Sequence, residues 1–202
     1  MGPHPDDPRL DALFARCGQL GMLINVHVSD PIWGYLPMDK TNDGLMLGWN
    51  WRIEVKDGMY GHDQLIESLE KAVRAHPKTL FFACHFANLD YDLTRLGNML
   101  DRNPNLYAET SARYGQIATI PRFAGQFFQK YKDRIVYGTD LGYSQSMFSN
   151  TFRVLESTDE HFYGGSGTRW TWNGLGLPDD VLKKVYGENA KSAFKRALSN
   201  AG

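Results

Sequence analysis

A parallel α/β sheet covered by helices is the fold class this sequence predicts, and two observations carry the prediction. Short runs rich in β-branched and aromatic residues alternate with longer segments whose apolar residues recur at helical spacing. Prolines punctuate the alternation, with Pro8, Pro121 and Pro178 at helix starts and Pro77 and Pro104 at helix ends. The expected count is four strands and about five helices, in one domain spanning residues 1–202.

The elements follow in order. In DDPRLDALFARCGQLG, Asp7 is the expected N-cap and Pro8 the first helical residue. Leu10, Leu13, Phe14 and Cys17 then share a face, which predicts a helix over 8–20. GMLINVHV (21–28) reads as the first strand, with Leu23, Asn25 and His27 on one face. A helix over 63–76 is capped by Asp63, buries Leu65, Ile66, Leu69 and Val73, and stops at Pro77. TLFFACHF (79–86) is the second strand, with Phe81, Ala83 and His85 on one face and small Ala83 leaving room beneath the ring. Leu89, Leu93, Leu96 and Leu100 mark a helix that ends near Pro104. NLYAETSA (105–112) is the third strand. Pro121 opens a helix carrying Phe123, Phe127, Phe128 and Tyr131, and IVYGTD (135–140) is the fourth strand. A last helical region runs from Pro178 to Leu198, with a break expected near Gly187.

Composition excludes several classes of partner. The 202 residues carry a formal net charge of -1 and no Lys/Arg block, so nucleic acid and anionic membrane surfaces are not expected partners. Cys17 and Cys84 have neither metal-type nor redox-type spacing, which points to a reducing cytoplasm. The opening MGPHPDDPRL lacks the apolar centre of a signal peptide, and no window approaches the ~20 apolar residues of a membrane span. A cytoplasmic protein is expected.

Three of the four strands finish in a residue suited to acid–base or metal chemistry: His27, His85 and Asp140. Carboxyl ends of parallel strands lie on one edge, so these side chains can converge. Alone, each reads as an ordinary hydrogen-bonding residue; the repetition at three strand ends favours a site. Imidazole nitrogens and a carboxylate suit Zn²⁺ or a similar divalent ion, which would bring a bound water to a pKa of roughly 7. Two connections, 29–62 and 141–177, far exceed the usual length of about 2–6 residues for such loops. The first carries Trp33, Tyr35, Trp49, Trp51 and Tyr60. The second carries Phe148, Phe152, Phe162, Tyr163, Trp170 and Trp172, with Gly164, Gly165 and Gly167 among them. Both leave the carboxyl edge, where such folds build their sites, so a covered pocket for a small organic molecule, with Trp33 in its wall, is one expectation, and loops packed on themselves or on a partner subunit are the other. Arg113 and Arg122 are candidates to bind a substrate carboxylate, against a plainer reading as surface charge. Glu109 and Ser111 are candidates to support the site, against a plainer reading as ordinary strand residues. His4, His62, His76 and His161 read as solvated.

The stretches DDPRLDALFARCGQLGMLINVHVSDPIWG, KTLFFACHFANL, NPNLYAETSARYG, DRIVYGTD and LPDDVLKKVYGENAKSAF, in this order, resemble the amidohydrolase-related family. That group includes aminocarboxymuconate-semialdehyde decarboxylase and related aromatic-acid decarboxylases and hydrolases. The resemblance implies a TIM-like (β/α)8 barrel with a divalent metal at its carboxyl face. It implies that His27 is the fifth-strand metal ligand, that His85 is the sixth-strand histidine assisting catalysis, and that Asp140 is the eighth-strand aspartate that ligates the metal and handles its proton.

One departure shapes the expectation. The family's first-strand His-x-His pair, which supplies two further ligands, does not occur in this sequence. A full barrel takes about 250 residues, so a partial barrel lacking the N-terminal half is expected, as a fragment, a truncated gene or one half of a split enzyme. A complementing N-terminal half or a homo-oligomer is then the expected partner, beside a small-molecule substrate. The leading function is a metal-dependent hydrolase or decarboxylase acting on a small aromatic or carboxylated molecule. The alternative is a catalytically inactive half-barrel that binds a ligand or partner. A nucleotide-binding module ranks third, because no Gly-rich phosphate loop follows the first strand.

Overall fold

The structure, a computed structural model, describes residues 3–47, 51–140, 142–164 and 168–201. Its centre is a four-stranded parallel sheet in the order β1 (Ile24–Val26), β2 (Phe81–Ala83), β3 (Leu106–Glu109) and β4 (Ile135–Val136). Register aligns Ile24 with Phe81, Phe81 with Leu106, and Ala108 with Ile135. The strands are shorter than their sequence runs because each run ends in a tight turn at the carboxyl edge. The α-helices among the described residues are α1 (Asp11–Gln19), α2 (His62–Ala75), α3 (Leu93–Arg102), α4 (Tyr114–Ile117), α5 (Pro121–Lys130), α6 (Gln145–Glu156), α7 (Asp179–Lys183) and α8 (Asn189–Asn200). Order, direction and coverage are those of a partial TIM-like (β/α)8 barrel.

Strand alternation divides the sheet into two faces. Phe81, Ala83, Leu106, Ala108 and Ile135 join Leu69, Val73, Leu96, Leu100, Phe127 and Phe128 in the main core. Each large apolar side chain buried there contributes roughly 1.5–3 kcal/mol. Among the described residues, the opposite, inner face is packed at its lower end. There α8 lays Ala190, Ala193 and Ala197 against Leu80, Tyr107 and Val136. The helix crosses the amino ends of several strands, where Asn189 Nδ2 donates to the Lys132 and Ile135 carbonyls, Arg196 Nη1 to Pro104 and Asn200 Nδ2 to Lys78. Its close approach requires glycine at 21: φ is +65°, and a Cβ there would lie 3.0 Å from the Leu198 Cα.

Local signals explain most helix ends. Asp7 caps the first turn, Pro8–Leu10, accepting from the Arg9 amide at 2.9 Å, and α1 follows directly. Asp92 does the same for α3 through the Arg95 amide. The cap of α2 is Gly61 rather than Asp63, with Gln64 Oε1 accepting from the Gly61 amide; Asp63 pairs with Arg95 at 2.5 Å instead. No break occurs at Gly187, because α7 passes through one wide helical turn, Lys184–Glu188, straight into α8. The two long connections are not bare loops. Residues 29–62 contain short 3₁₀ turns at Ile32–Gly34 and Asp43–Met46, and residues 141–177 contain α6, capped by Ser144. Trp49, Gly165 and Gly167 lie outside the described residues.

Candidate active site

Every strand is followed at its carboxyl end by residues in the left-handed region without glycine: Ser29 after β1, His85 to Asn88 after β2, Ala112 after β3 and Asp140 after β4. Such conformations cost of order 1–2 kcal/mol per residue and collect where a fold over-determines its backbone. The turn after β2 matters most. Phe81 and Ala83 point into the helix-covered core, so a continued strand would send His85 there too. Instead β2 stops at Ala83, and a left-handed run from φ 58° at His85 turns the ring back to the inner face. The expectation that Phe81, Ala83 and His85 share a face is therefore corrected, although His85 still reaches the edge it was expected to reach.

The three strand-end residues come together. His85 Nε2 lies 3.0 Å from His27 Nδ1 and 3.9 Å from Asp140 Oδ2. His85 is buried, at 6% exposure, whereas His27 and Asp140 are open to solvent. Behind the His85 ring, Nδ1 meets the Ser111 carbonyl at 3.0 Å and Ser111 Oγ at 2.9 Å. A carbonyl only accepts, so Nδ1 carries the proton. In the neutral ring Nε2 is then the lone-pair nitrogen, His27 Nδ1–H donates to it, and His27 Nε2 keeps a free lone pair. Burial pushes the His85 pKa down, opposed by the Ser111 carbonyl; the nearby Arg113 and His27 push the same way as burial, and Asp140 resists. Burial thus favours the neutral form of the His85 ring.

Glu109 and Ser111 belong to this site rather than to an ordinary strand. Glu109 Oε1 accepts from the Ser111 amide at 2.9 Å, and Oε2 accepts from Ser111 Oγ at 2.5 Å and from the His85 amide at 3.4 Å. Burial raises the Glu109 pKa, and the Ser111 hydroxyl and these amides counter it. Glycine at 138 makes the room, since a Cβ there would sit 1.5 Å from Glu109 Oε1. The only sequence signal was the pairing of Glu109 and Ser111 two residues apart at a strand end.

Arg113 is a second correction. It is not surface charge: it is 7% exposed and pairs through Nε with buried Asp90 at 3.2 Å. Nη1 donates to the Ala112 carbonyl at 2.9 Å and Nη2 to Asn88 Oδ1. Burial lowers the Arg113 pKa and raises that of Asp90, each charge opposing the other's shift. Asn88 also donates to the Val28 and Ser29 carbonyls and receives a bond at its own carbonyl from His62 Nε2. His62 is accordingly buried, not solvated. His76 too is largely covered, beside Asp11 at 3.1 Å, and His4 stacks on Tyr60 at 3.9 Å. His161 is exposed, and Arg122 is an exposed residue in the first turn of α5.

A cavity of about 470 Å³ opens over this edge. His27, His85, Asp140 and Arg113 line it with the aromatic walls Trp33, Trp51 and Trp172. Phe148 and Phe152 lie elsewhere, clustered with Tyr137 and Tyr186. Three lining residues, Trp33 through Nε1, Arg113 through Nε and Gln116 through Oε1, hold a buried polar atom without a hydrogen-bond partner among the described residues; the Arg113 Nε contact with Asp90 is an ion pair without hydrogen-bond geometry.

Four parallel strands covered by helices, with His27, His85 and Asp140 gathered under an aromatic cavity at the carboxyl edge, define the class: a partial TIM-like (β/α)8 barrel with a candidate site at that edge. The chain belongs to the amidohydrolase family, whose profile matches residues 1–196. Its structure is similar to that of an uncharacterized TIM-barrel protein from Bordetella bronchiseptica, with 17% identity and a TM-score of 0.52. The match covers 96% of this chain and 53% of that one, so the chain spans about half the length of its structural neighbour. No curated protein matches the sequence.

The family is generally metal-dependent, and the donor set at this edge can be compared with what a metal needs. Among the described residues no group of three or more His, Cys, Asp or Glu side chains is arranged to hold a metal ion. His27 Nδ1 and His85 Nε2 are engaged with each other, and His85 Nδ1 with Ser111. That leaves His27 Nε2 and the Asp140 carboxylate, fewer than the three protein ligands of a catalytic zinc. The residues described do not by themselves fit the expected zinc centre. No helix among them is long and apolar enough to cross a membrane.

Proposed function

We propose that this chain supplies the acid–base part of a hydrolase or decarboxylase site of the aminocarboxymuconate-semialdehyde decarboxylase type, acting on a small aromatic or carboxylated molecule. The observation that carries the proposal is the placement of His85, whose Nε2 faces His27 and Asp140 at the floor of an aromatic cavity. Water or substrate that takes the place of exposed His27 meets a base at His85 Nε2. In hydrolysis that nitrogen removes a proton from water as it attacks a carbonyl carbon. In decarboxylation Nε2 first takes a proton from solvent and then gives it to the ring carbon, whose bond to the carboxylate breaks to release carbon dioxide. Asp140, 3.9 Å away, favours the imidazolium formed in either case. Trp33 and Trp51 would stack the substrate ring, and Arg113 would set a positive potential for a carboxylate while remaining paired to Asp90.

A divalent metal, zinc first, is part of this proposal with donors beyond the pair that His27 and Asp140 offer. A second copy or a complementing half-barrel, set against the outer edges of β1 and β4, is the partner proposed to bring them. The test is turnover on a panel of aromatic carboxylates and lactones, with and without zinc. Loss of His85 as His85→Ala should cost about 10²–10⁴-fold in kcat. Equal turnover in both proteins would end the proposal.

A second reading is a binding module without catalysis, favoured by the absence of a three-donor group among the described residues. Saturable binding of an aromatic carboxylate, lost in Trp33→Ala, with no turnover under any metal condition would support it.

A further inference from the structure

We infer that Glu109 and Ser111 are positioning residues that fix the tautomer of His85, through a hydrogen-bonded line running Glu109–Ser111–His85–His27. The inference rests on the acid–base reading of His85 given above, but its geometry stands by itself. Ser111 has a single hydroxyl proton, and at 2.5 Å from Glu109 Oε2 that proton lies on the line to the carboxylate. Ser111 Oγ therefore presents only lone pairs to His85 Nδ1 at 2.9 Å, beside the carbonyl of the same residue at 3.0 Å. Two acceptors and no donor face that nitrogen, so the ring is held with Nδ1 protonated. Nε2 then keeps its lone pair on the cavity side of the ring, where it accepts from His27 Nδ1–H at 3.0 Å.

Glu109 is suited to this task by its own anchoring. Oε1 is held by the Ser111 amide and Oε2 also accepts from the His85 amide, so the carboxylate is fixed to both backbones it coordinates. Its burial is matched by the absence of a side chain at Gly138. Glu109 does not line the aromatic cavity; it lines the adjoining one beside His27 and Asp140, and its hydrogen-bonded connection to the His85 ring runs through Ser111.

The arrangement makes a specific forecast for Glu109→Gln. The amide oxygen replaces Oε1 on the Ser111 amide, and the NH₂ group replaces Oε2 and donates to Ser111 Oγ. The Ser111 hydroxyl is then released to donate to His85 Nδ1, which admits the opposite tautomer, with the proton on Nε2. Removing that hydroxyl as well, in Glu109→Gln/Ser111→Ala, leaves only the carbonyl before Nδ1 and restores the original tautomer.

The experiment is ¹⁵N NMR of the histidine rings in the full chain, with His85 assigned from His85→Gln. The wild type should show one tautomer with Nδ1 protonated. Glu109→Gln should show the Nε2-protonated form at about a tenth of the population or more, and the double variant should return to the wild-type pattern. Thermal melts establish that each variant is folded. If Glu109→Gln misfolds, Glu109→Asp with the wild-type tautomer lost only in the presence of the Ser111 hydroxyl decides the same point. A wild-type ring protonated on Nε2, an unchanged ring in Glu109→Gln, or a double variant altered as much as the single one would each overturn the inference. Turnover is a separate readout: where it is found, kcat should fall in Glu109→Gln about tenfold, with KM little changed, and partly recover in the double variant. Absence of turnover in every protein would refute the proposed function and leave the NMR result to judge the positioning role.

Discussion

Replacing Asp90 with asparagine tests the brace behind the cavity. Asp90 and Arg113 lie 3.2 Å apart with side-chain exposures of 6% and 8%, so the pair is screened little by solvent. Asparagine keeps the shape and removes the charge, leaving the Arg113 guanidinium buried beside a neutral group. Breaking a buried pair from one side costs about 3–5 kcal/mol. Arg113 keeps two acceptors, the Ala112 carbonyl and Asn88 Oδ1, which places the expected loss near the lower end, about 3 kcal/mol. For a chain of this size each kcal/mol moves Tm by about 2–4 °C, so Tm should fall by about 6–12 °C. Urea and thermal unfolding followed by circular dichroism measure both quantities. The double variant Asp90→Leu/Arg113→Met supplies the control, because replacing both charges by apolar groups is often nearly neutral. An Asp90→Asn protein within about 0.5 kcal/mol of wild type would refute the reasoning, since that is the range of ordinary surface changes. A double variant as unstable as the single one would show that packing, not charge, holds the turn.

Three further outcomes are expected. Burial depresses the His62 pKa below its ordinary 6.5, against the opposing Asn88 carbonyl, so at mildly acidic pH the unfolded chain binds a proton that the folded chain resists. Stability should therefore fall as pH drops from about 6.5 toward the folded value, and urea midpoints measured across that window should flatten in His62→Gln. Gly138→Ala forces its methyl into the Glu109 carboxylate; unfolding should cost about 1–3 kcal/mol less, and the His85 NMR signals should shift. Ala112→Gly relieves a left-handed residue at φ 54°, a relief of about 1–2 kcal/mol against about 0.5–1 kcal/mol of added chain entropy, so chemical denaturation should show a protein at least as stable as wild type. The same change at Ala124, inside α5, should destabilise by about 1 kcal/mol or more, and equal losses at the two positions would contradict the strain assignment.

Much of the fold was legible because it obeys simple periods. Leu65, Ile66, Leu69 and Val73 announce α2, and Phe127, Phe128 and the proline at 121 announce α5, since one buried stripe and one start signal suffice for each. The parallel direction of the strands follows from alternation with helices, whereas their barrel arrangement is what the family resemblance implies. What escaped was structure whose cause lies elsewhere in the chain. Within α6 the apolar residues Met147, Val154 and Leu155 were masked by aromatic neighbours that read as a loop wall. His62 and Arg113 read as surface groups because the partners that permit their burial, Asn88 and Asp90, stand about a score of residues or more away in sequence.

The site itself shows where periodicity stops being a guide. Strand alternation alone would place Asn25 and His27 on the inner face and Ala83 and His85 on the outer one, given the parallel register of Val26 with Ala83. On that pattern the two histidines could never meet. They meet because β2 ends one residue before Cys84 and the following left-handed run reverses the chain, which no glycine announces. The run is kept in place by contacts made after the chain has folded: Glu109 on the His85 amide, Asn88 on the Val28 and Ser29 carbonyls, and Arg113 on Asn88. Those contacts come from three strand ends at once, so the histidine pair is a property of the assembled edge rather than of any one segment. The same residues that hold His85 in its turn also govern what its Nδ1 faces. Positioning of the backbone and choice of tautomer are therefore one constraint, with Glu109 at its root.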